Sequence, residues 1–148
     1  MAKPFSLQPL LELMQTRTDE ATRRLGQLIS AEQSAKSRLQ LLEQYREEYS
    51  QRFRESAQLG MTPLVWRNFQ DFMGRIDEAI AQQRETVAQH ERSTVDGQSH
   101  WREQNKRLKA IDTLSDRHFS AERHREGKLD QKQQDEFAAR SRKEAQEE

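Results

Sequence analysis

The side chains able to perform acid–base or metal chemistry are scattered along this chain. The four histidines, at positions 90, 100, 118 and 124, are never three or four residues apart. That is the spacing by which two imidazoles on one helix bind a single metal ion. The five glycines are isolated from one another, and cysteine is absent. A glycine-rich phosphate loop, a thiolate metal site and a disulfide are therefore excluded. We predict no catalytic site, no cofactor and no metal.

The composition argues against a compact globule. Only 32% of the residues are hydrophobic and 34% are charged, whereas globular domains have about 45–50% apolar residues. Such a chain is either disordered or a long helix that buries a narrow stripe. The formal net charge is zero, which favours neither self-repulsion nor general attraction to nucleic acid. The chain has no apolar run near the roughly 18 residues that span a bilayer, and no secretory signal. We expect a soluble, cytoplasmic protein.

Apolar residues recur every seven positions through the first part of the chain, which predicts a helix with a buried seam rather than disorder. One series comprises Leu7, Met14, Ala21, Leu28, Ala35, Leu42 and Tyr49. A second series, four residues later, comprises Leu11, Thr18, Leu25, Glu32, Leu39, Arg46 and Phe53. A sustained seven-residue period is typical of a left-handed coiled coil.

The pattern restarts in a different register after residue 63. The first series here comprises Trp66, Met73, Ile80, Val87, Thr94, Trp101 and Leu108. The second comprises Phe69, Ile76, Gln83, His90, Gly97, Gln104 and Ile111. Polar residues interrupt both seams, and we interpret them as register control in preference to a binding role. The two halves predict two long helices.

Between the halves lies "LGMTP", which has the residues that end one helix and begin another. Gly60 can adopt the left-handed conformation that ends a helix. Thr62 can cap the next helix, and Pro63 suits its first position, where no N–H is needed. We therefore predict a single all-α domain, residues 1–148, forming a long two-helix antiparallel coiled-coil hairpin. The helices should span about 6–58 and about 63–140, with a turn at 59–62 and a frayed C-terminal tail.

In such a hairpin, residues equally distant from the turn should face each other. Tyr49 should then face Phe72, and Leu25 should lie beside Gly97. Leu7 would pair near Leu114, so the second helix should overhang. We expect no part of this chain to cover the segment after about residue 115, which suggests a segment ordered by a partner.

An aromatic stripe follows one side of both predicted helices near the turn. The stripe comprises Arg38, Leu42, Tyr45, Tyr49, Phe72, Ile76, Ala79 and Gln83. Aromatic residues at the flank of a seam can present a patch to another protein. They can equally well broaden a narrow seam, and the sequence leaves both interpretations open.

The sequence also resembles a known family, the FliJ proteins of the flagellar type III export apparatus. The similarity covers nearly the whole chain and is carried by "LLEQYREEY", "WRNFQDFMGRIDEAI", "WREQNKRLKAIDTLSDR" and "LDQKQQDEFAAR". The tryptophans at positions 66 and 101 make it more specific than heptads alone.

The resemblance implies a non-enzymatic, stalk-like antiparallel coiled coil. It implies insertion into the hexameric export ATPase, FliI, through the chain termini, with stimulation of ATP hydrolysis. It further implies docking on the transmembrane gate protein FlhA, escort of export chaperones and a place at the cytoplasmic face of the inner membrane. The ATPase regulator FliH is a further candidate partner. The gate-binding patch of the family corresponds by position to the aromatic stripe, although Arg38, Ile76 and Gln83 depart from the family pattern of Gln, Leu and His.

Three other functions remain open at this point. The chain could be the equivalent stalk of a virulence type III secretion system, which the sequence hardly distinguishes. It could be a scaffolding coiled coil without an ATPase partner, which would self-associate. A helical hairpin that binds RNA or DNA is the third, and the zero net charge argues against it.

Overall fold

The computed structural model describes residues 3–147. Two helices make up almost all of this range: α1 at Gln8–Leu59 and α2 at Pro63–Glu147. They pack against each other and the described residues contain no strand, which confirms the predicted all-α class. We had expected helices at about 6–58 and about 63–140, so α2 continues beyond the expected end. Positions 1, 2 and 148 of the predicted domain lie outside the described residues.

The helices contribute to two compact units. The turn unit is Glu20–Arg102, and the terminal unit combines the chain up to Asp19 with the chain from Glu103 onward. In the turn unit α1 and α2 run antiparallel, because rising positions on α1 contact falling positions on α2. Trp101 Nε1 donates to Thr22 Oγ1 at 2.8 Å, whereas the ring of Tyr49 contacts that of Phe72.

The turn between the helices has the predicted local chemistry. Gly60 has a φ of 96°, the left-handed conformation that ends α1. The Thr62 hydroxyl accepts a hydrogen bond from the backbone N–H of Val65 at 3.3 Å, and its carbonyl accepts from Trp66 N–H at 3.0 Å. Pro63 is the first residue of α2. The end of the first helix, the turn and the beginning of the second helix, as predicted from "LGMTP", are confirmed.

The predicted seams are the buried sides of the two helices. In the turn unit the most buried apolar seam residues are Ala21, Ala35, Ile76, Ile80 and Val87. Of the described seam residues only two, Leu7 and Trp66, are exposed, at 38% and 51%. Both predictions of burial were wrong. Trp66 lies in the first turn of α2, near the end of α1 at Leu59, so α1 offers it little surface to pack against. At the start of the chain Phe5, two residues before Leu7, is the side chain that is buried and contacts α2.

Polar seam residues make hydrogen bonds between the helices of the turn unit. Gln83 Nε2 donates to the Ala35 carbonyl at 3.0 Å, and Thr94 Oγ1 donates to the Leu28 carbonyl at 3.4 Å. Each bond is made only when the two helices are in one alignment. This favours the interpretation of the polar seam residues as register control.

In the terminal unit the chain before α1 covers more of α2 than expected. Lys3 N–H donates to Glu122 Oε2 at 3.5 Å, and His118 Nε2 donates to the Lys3 carbonyl at 2.9 Å. Phe5 is only 8% exposed, and its ring centroid lies 5.4 Å from that of His118. The prediction that nothing covers α2 after about residue 115 was therefore wrong. Non-helical chain advances about 3.3 Å per residue against 1.5 Å in a helix, so residues 3–7 reach further along α2.

We call residues 3–5 with His118 and Glu122 the N-terminal latch. Glu122, which is 7% exposed, also accepts a hydrogen bond from Arg125 Nη1 at 3.1 Å. Beyond it, all residues from 123 to 147 are exposed, including Leu129 at 55% and Phe137 at 73%. An overhanging end of α2 is thus present, but it begins after Glu122.

Candidate partner-binding surface

The aromatic stripe predicted from the sequence lies entirely within the turn unit, and its members differ in exposure. Ile76 is buried at 6%, and Leu42, Tyr49 and Gln83 are half-buried between the helices. Phe72 and Ala79 are half-buried at the edge. Arg38 and Tyr45 are exposed, Tyr45 at 45%. A partner approaching from solvent would meet these last two and the edges of Phe72 and Ala79.

Aromatic rings form a continuous cluster across the two helices. Tyr49 is central, with ring centroids 4.4 Å from Phe72 and 5.3 Å from Phe69. Phe53 contacts Phe69 edge-on at 5.3 Å, and Tyr45 contacts Phe72 edge-on at 6.3 Å. Such tilted and edge-on pairs are favourable arrangements of aromatic rings. The cluster holds Tyr45 and Phe72 in place, so a partner would meet a preformed surface.

One exposed apolar residue beside the stripe was missed by the sequence analysis. Leu41 is 64% exposed and lies one helical turn before Tyr45, at a position outside both seams. The available signal was its spacing, since residues four apart are neighbours on one helical face. Leu41 and Tyr45 together widen the apolar part of this surface.

The opposite side of the same helices is occupied by ion pairs. Arg46 Nε lies 2.5 Å from Asp77 Oδ1, and Arg84 Nη2 lies 3.5 Å from Glu43 Oε1. The hydrogen bond from Arg46 holds the pKa of the Asp77 carboxyl below its ordinary value, against a smaller opposing effect of desolvation. The same bond raises the pKa of Arg46. All four side chains are at least 42% exposed, so these pairs are weakly stabilising at most.

A second exposed apolar group surrounds the turn. Leu59 is 90% exposed, Leu64 66%, Val65 42% and Trp66 51%. Large apolar side chains with such exposure are uncommon when clustered on a monomer, and clusters often mark contact sites. The turn therefore adds apolar surface next to the aromatic cluster.

Neither helix contains, within residues 3–147, an apolar stretch long enough to cross a bilayer. Over the same range no group of three or more His, Cys, Asp or Glu side chains is arranged to hold a metal ion. What the described surface can offer chemically is apolar contact, aromatic stacking and arginine side chains. These are groups that bind other proteins.

Comparison with known proteins identifies a family. The family model described as "Flagellar FliJ protein" matches residues 3–147. The chain is 33% identical over 141 residues to the Flagellar FliJ protein of Escherichia coli K12, covering 95% of this chain and 96% of that protein. The Flagellar FliJ protein of Salmonella typhi matches with the same identity and coverage. The chain described here therefore belongs to the FliJ family of flagellar proteins.

Proposed function

We propose that the protein is a non-enzymatic component of the flagellar type III export apparatus, acting as a stalk for the hexameric export ATPase FliI. Family membership supports the flagellar setting. The observation that carries the stalk role is the end of α2, where residues 123–147 stay helical while all are exposed. Most of the stability of a helix in a protein comes from packing of one of its faces, and no other described part of this chain buries these residues. A channel that surrounds them would supply the missing contacts.

Insertion in the ATPase ring would place Leu129 and Phe137 against ring subunits. They are the large apolar side chains of this exposed segment. The ATPase hexamer can change its conformational equilibrium only if the stalk binds the different conformations of the ATPase subunits with different affinities. A single helix end with two apolar side chains differs from side to side, so it can contact different subunits differently. The result would be stimulation of ATP hydrolysis.

The turn unit would supply the second contact, to the transmembrane gate protein FlhA. The proposed docking surface is the aromatic stripe, Arg38, Leu42, Tyr45, Tyr49, Phe72, Ile76, Ala79 and Gln83. Its support is the aromatic cluster, with Tyr45 and Leu41 exposed at its edge. Ile76, being buried, would act by holding the helices together instead of touching the gate.

With these two contacts the protein would be peripheral to the inner membrane, on its cytoplasmic side. In this setting it would also escort export chaperones, and the ATPase regulator FliH is a further candidate partner. Family membership is the support for chaperone escort.

The stalk role is tested by steady-state ATP hydrolysis of the cognate export ATPase, with and without the full chain. A truncation after Glu126 removes the exposed end while keeping the Glu122–Arg125 pair and the N-terminal latch. We expect stimulation by the full chain and little or none by the truncated one. A finer pair of variants keeps the length: Leu129→Asp with Phe137→Asp should lose stimulation. Gln133→Asp with Gln134→Asp, which adds the same charge at exposed polar positions, should retain it.

ATP hydrolysis together with a measurement of self-association distinguishes the stalk role from a scaffolding coiled coil and from a virulence-system stalk. Failure of the full chain to stimulate an ATPase that is competent to form hexamers would exclude the stalk role. Stable self-association in that case would identify a scaffolding coiled coil. Stimulation of a virulence-system ATPase in preference to the flagellar one would assign the chain to that system.

A further inference from the structure

The two flanks of the turn unit differ in whether their charged side chains form ion pairs. On one flank lie the ion pairs Arg46–Asp77 and Arg84–Glu43, which join α1 to α2. We call the other the basic–aromatic flank, and it comprises Arg38, Leu41, Tyr45, Arg52, Phe72, Arg75 and Ala79. Within residues 3–147 none of its three arginines forms an ion pair, and all three are exposed. The charges on this flank are therefore available to another molecule.

The position of these arginines along the helices is regular. Arg38 and Arg52 lie seven residues before and after Tyr45, so they bracket it at about 10.5 Å on each side along α1. Arg75 lies three residues after Phe72 and four before Ala79, which makes it their neighbour on the surface of α2. The flank is thus an apolar centre with a cation at each end and one at its side, and the cation at the side has Asp71 and Glu78 as helical neighbours.

A recess next to Arg38 completes this surface. A shallow cavity of about 220 Å³ lies between the helices, lined by small or polar side chains that include Ala31, Ser34, Ala35 and Thr86. Arg38 and Gln83 form its border on the side of the stripe. A side chain of a bound partner can enter here while a neighbouring acidic group pairs with Arg38.

We propose that the basic–aromatic flank binds an acidic protein segment whose carboxylates stand on either side of an apolar side chain. The apolar side chain would lie on Leu41, Tyr45 and the edge of Phe72. Carboxylates about 21 Å apart would pair with Arg38 and Arg52, and a third would reach Arg75. The inference rests on the proposed docking to the gate, and it specifies the chemistry of the segment that docks.

A protein segment fits this flank better than a phosphate polymer or a lipid surface. The arginines are few and separated by apolar surface, whereas one DNA strand presents a phosphate about every 3.4 Å. The chain as a whole has zero formal net charge, so it provides no wider basic field to hold an anionic surface. Glu48 lies four residues before Arg52, at the outer edge of the flank, and would repel an acidic partner.

The test is a binding titration of the full chain with the purified cytoplasmic portion of the gate protein. The variant is Arg38→Glu with Arg52→Glu. The matched control is Arg92→Glu with Arg102→Glu, which makes the same change in net charge at exposed positions off this flank. Thermal unfolding of each variant checks that the hairpin is retained. We expect the flank variant to bind at least tenfold more weakly and the control to stay within twofold of the unaltered chain.

Two further measurements sharpen the result. Affinity of the unaltered chain should fall with rising salt more steeply than affinity of the flank variant, because fewer charges pair in the variant. Glu48→Gln should bind severalfold more tightly because it removes the repulsive carboxylate.

Each outcome has a distinct meaning. If the unaltered chain does not bind the gate, both the docking and this inference are overturned. If Tyr45→Ala weakens binding but the flank variant behaves as its control does, docking stands and the acidic segment is overturned. Arginine-dependent binding to anionic vesicles or to RNA, with none to the gate, would replace a protein segment by those ligands.

Discussion

The ring of Tyr49 lies against the ring of Phe72, with centroids 4.4 Å apart and planes tilted by 42°. This contact joins α1 to α2 at a point where both residues also touch other rings, Phe69 on one side and Tyr45 on the other. Removing either ring therefore disturbs both the packing of the helices and the support of the exposed Tyr45. If the proposed docking uses this surface, stability and binding would be coupled at this pair.

That coupling can be measured by a double-mutant cycle. Tyr49→Leu and Phe72→Leu, singly and together, should show an interaction free energy of about 0.5–1.5 kcal/mol in urea unfolding. The pair Tyr45 and Phe72, whose centroids are 6.3 Å apart with Tyr45 largely exposed, should show less. Purely additive effects for Tyr49 and Phe72 would mean that the ring contact contributes nothing beyond burial.

The Arg46–Asp77 pair predicts a local pH dependence. Since the hydrogen bond from Arg46 depresses the pKa of Asp77, the contribution of this carboxylate to stability is present above its ordinary pKa near 3.8. It is lost as pH falls through the depressed pKa of the folded state. Carbon-detected NMR titration should show Asp77 titrating at lower pH in the unaltered chain than in Arg46→Gln. Identical titration in the two would exclude the pair in solution.

Two helical glycines form a matched pair for stability measurements. At Gly74 an added Cβ would meet nothing within 4 Å, whereas at Gly97 it would lie 2.6 Å from Leu28 Cδ1. Gly74→Ala should stabilise the protein by about 0.5–1 kcal/mol through helix propensity. Gly97→Ala should gain less or lose stability, because Leu28 must move. Equal gains in chemical unfolding would show that Leu28 moves at no cost.

Gln104 in the terminal unit is a buried seam residue whose side-chain oxygen has no hydrogen-bond partner among the described atoms. Leaving a buried acceptor unpaired costs about 1–3 kcal/mol. Gln104→Leu keeps a similar size and removes that acceptor, so it should raise the free energy of unfolding by an amount in this range. The isosteric Gln104→Glu, which would place a charge there, should lower it. Destabilisation by leucine would indicate an ordered water that satisfies the glutamine.

Much of the helical arrangement could be predicted from local signals. The turn follows from the conformational and capping preferences of three single residues, Gly60, Thr62 and Pro63. The seven-residue period of apolar residues determines which side of each helix is buried. Ser115, His118 and Glu122 continue that period on α2 and are buried or half-buried. Because these residues are polar, a search for periodic apolar residues does not detect that they are buried.

The candidate surface could be predicted in position but not in detail. The stripe was found from helical spacing, yet spacing gave no indication that Ile76 is buried while Leu41 is exposed. The unpaired state of Arg38, Arg52 and Arg75 depends on which charges lie across the helix interface. Non-helical residues 3–7 have no period at all, so their contact with α2 was beyond a pattern-based prediction.

The N-terminal latch has a consequence for the order in which the chain folds. Lys3 and Glu122 are separated by 119 positions, whereas the rings of Phe53 and Phe69 meet close to the turn. Closing a longer loop costs more chain entropy, and local contacts form faster. Pairing should therefore start beside Gly60 and proceed outward, with the latch formed last and released first. Hydrogen exchange should find amides of residues 115–122 among the first to lose protection. Phe5→Ala should speed their exchange while leaving residues 69–80 unchanged.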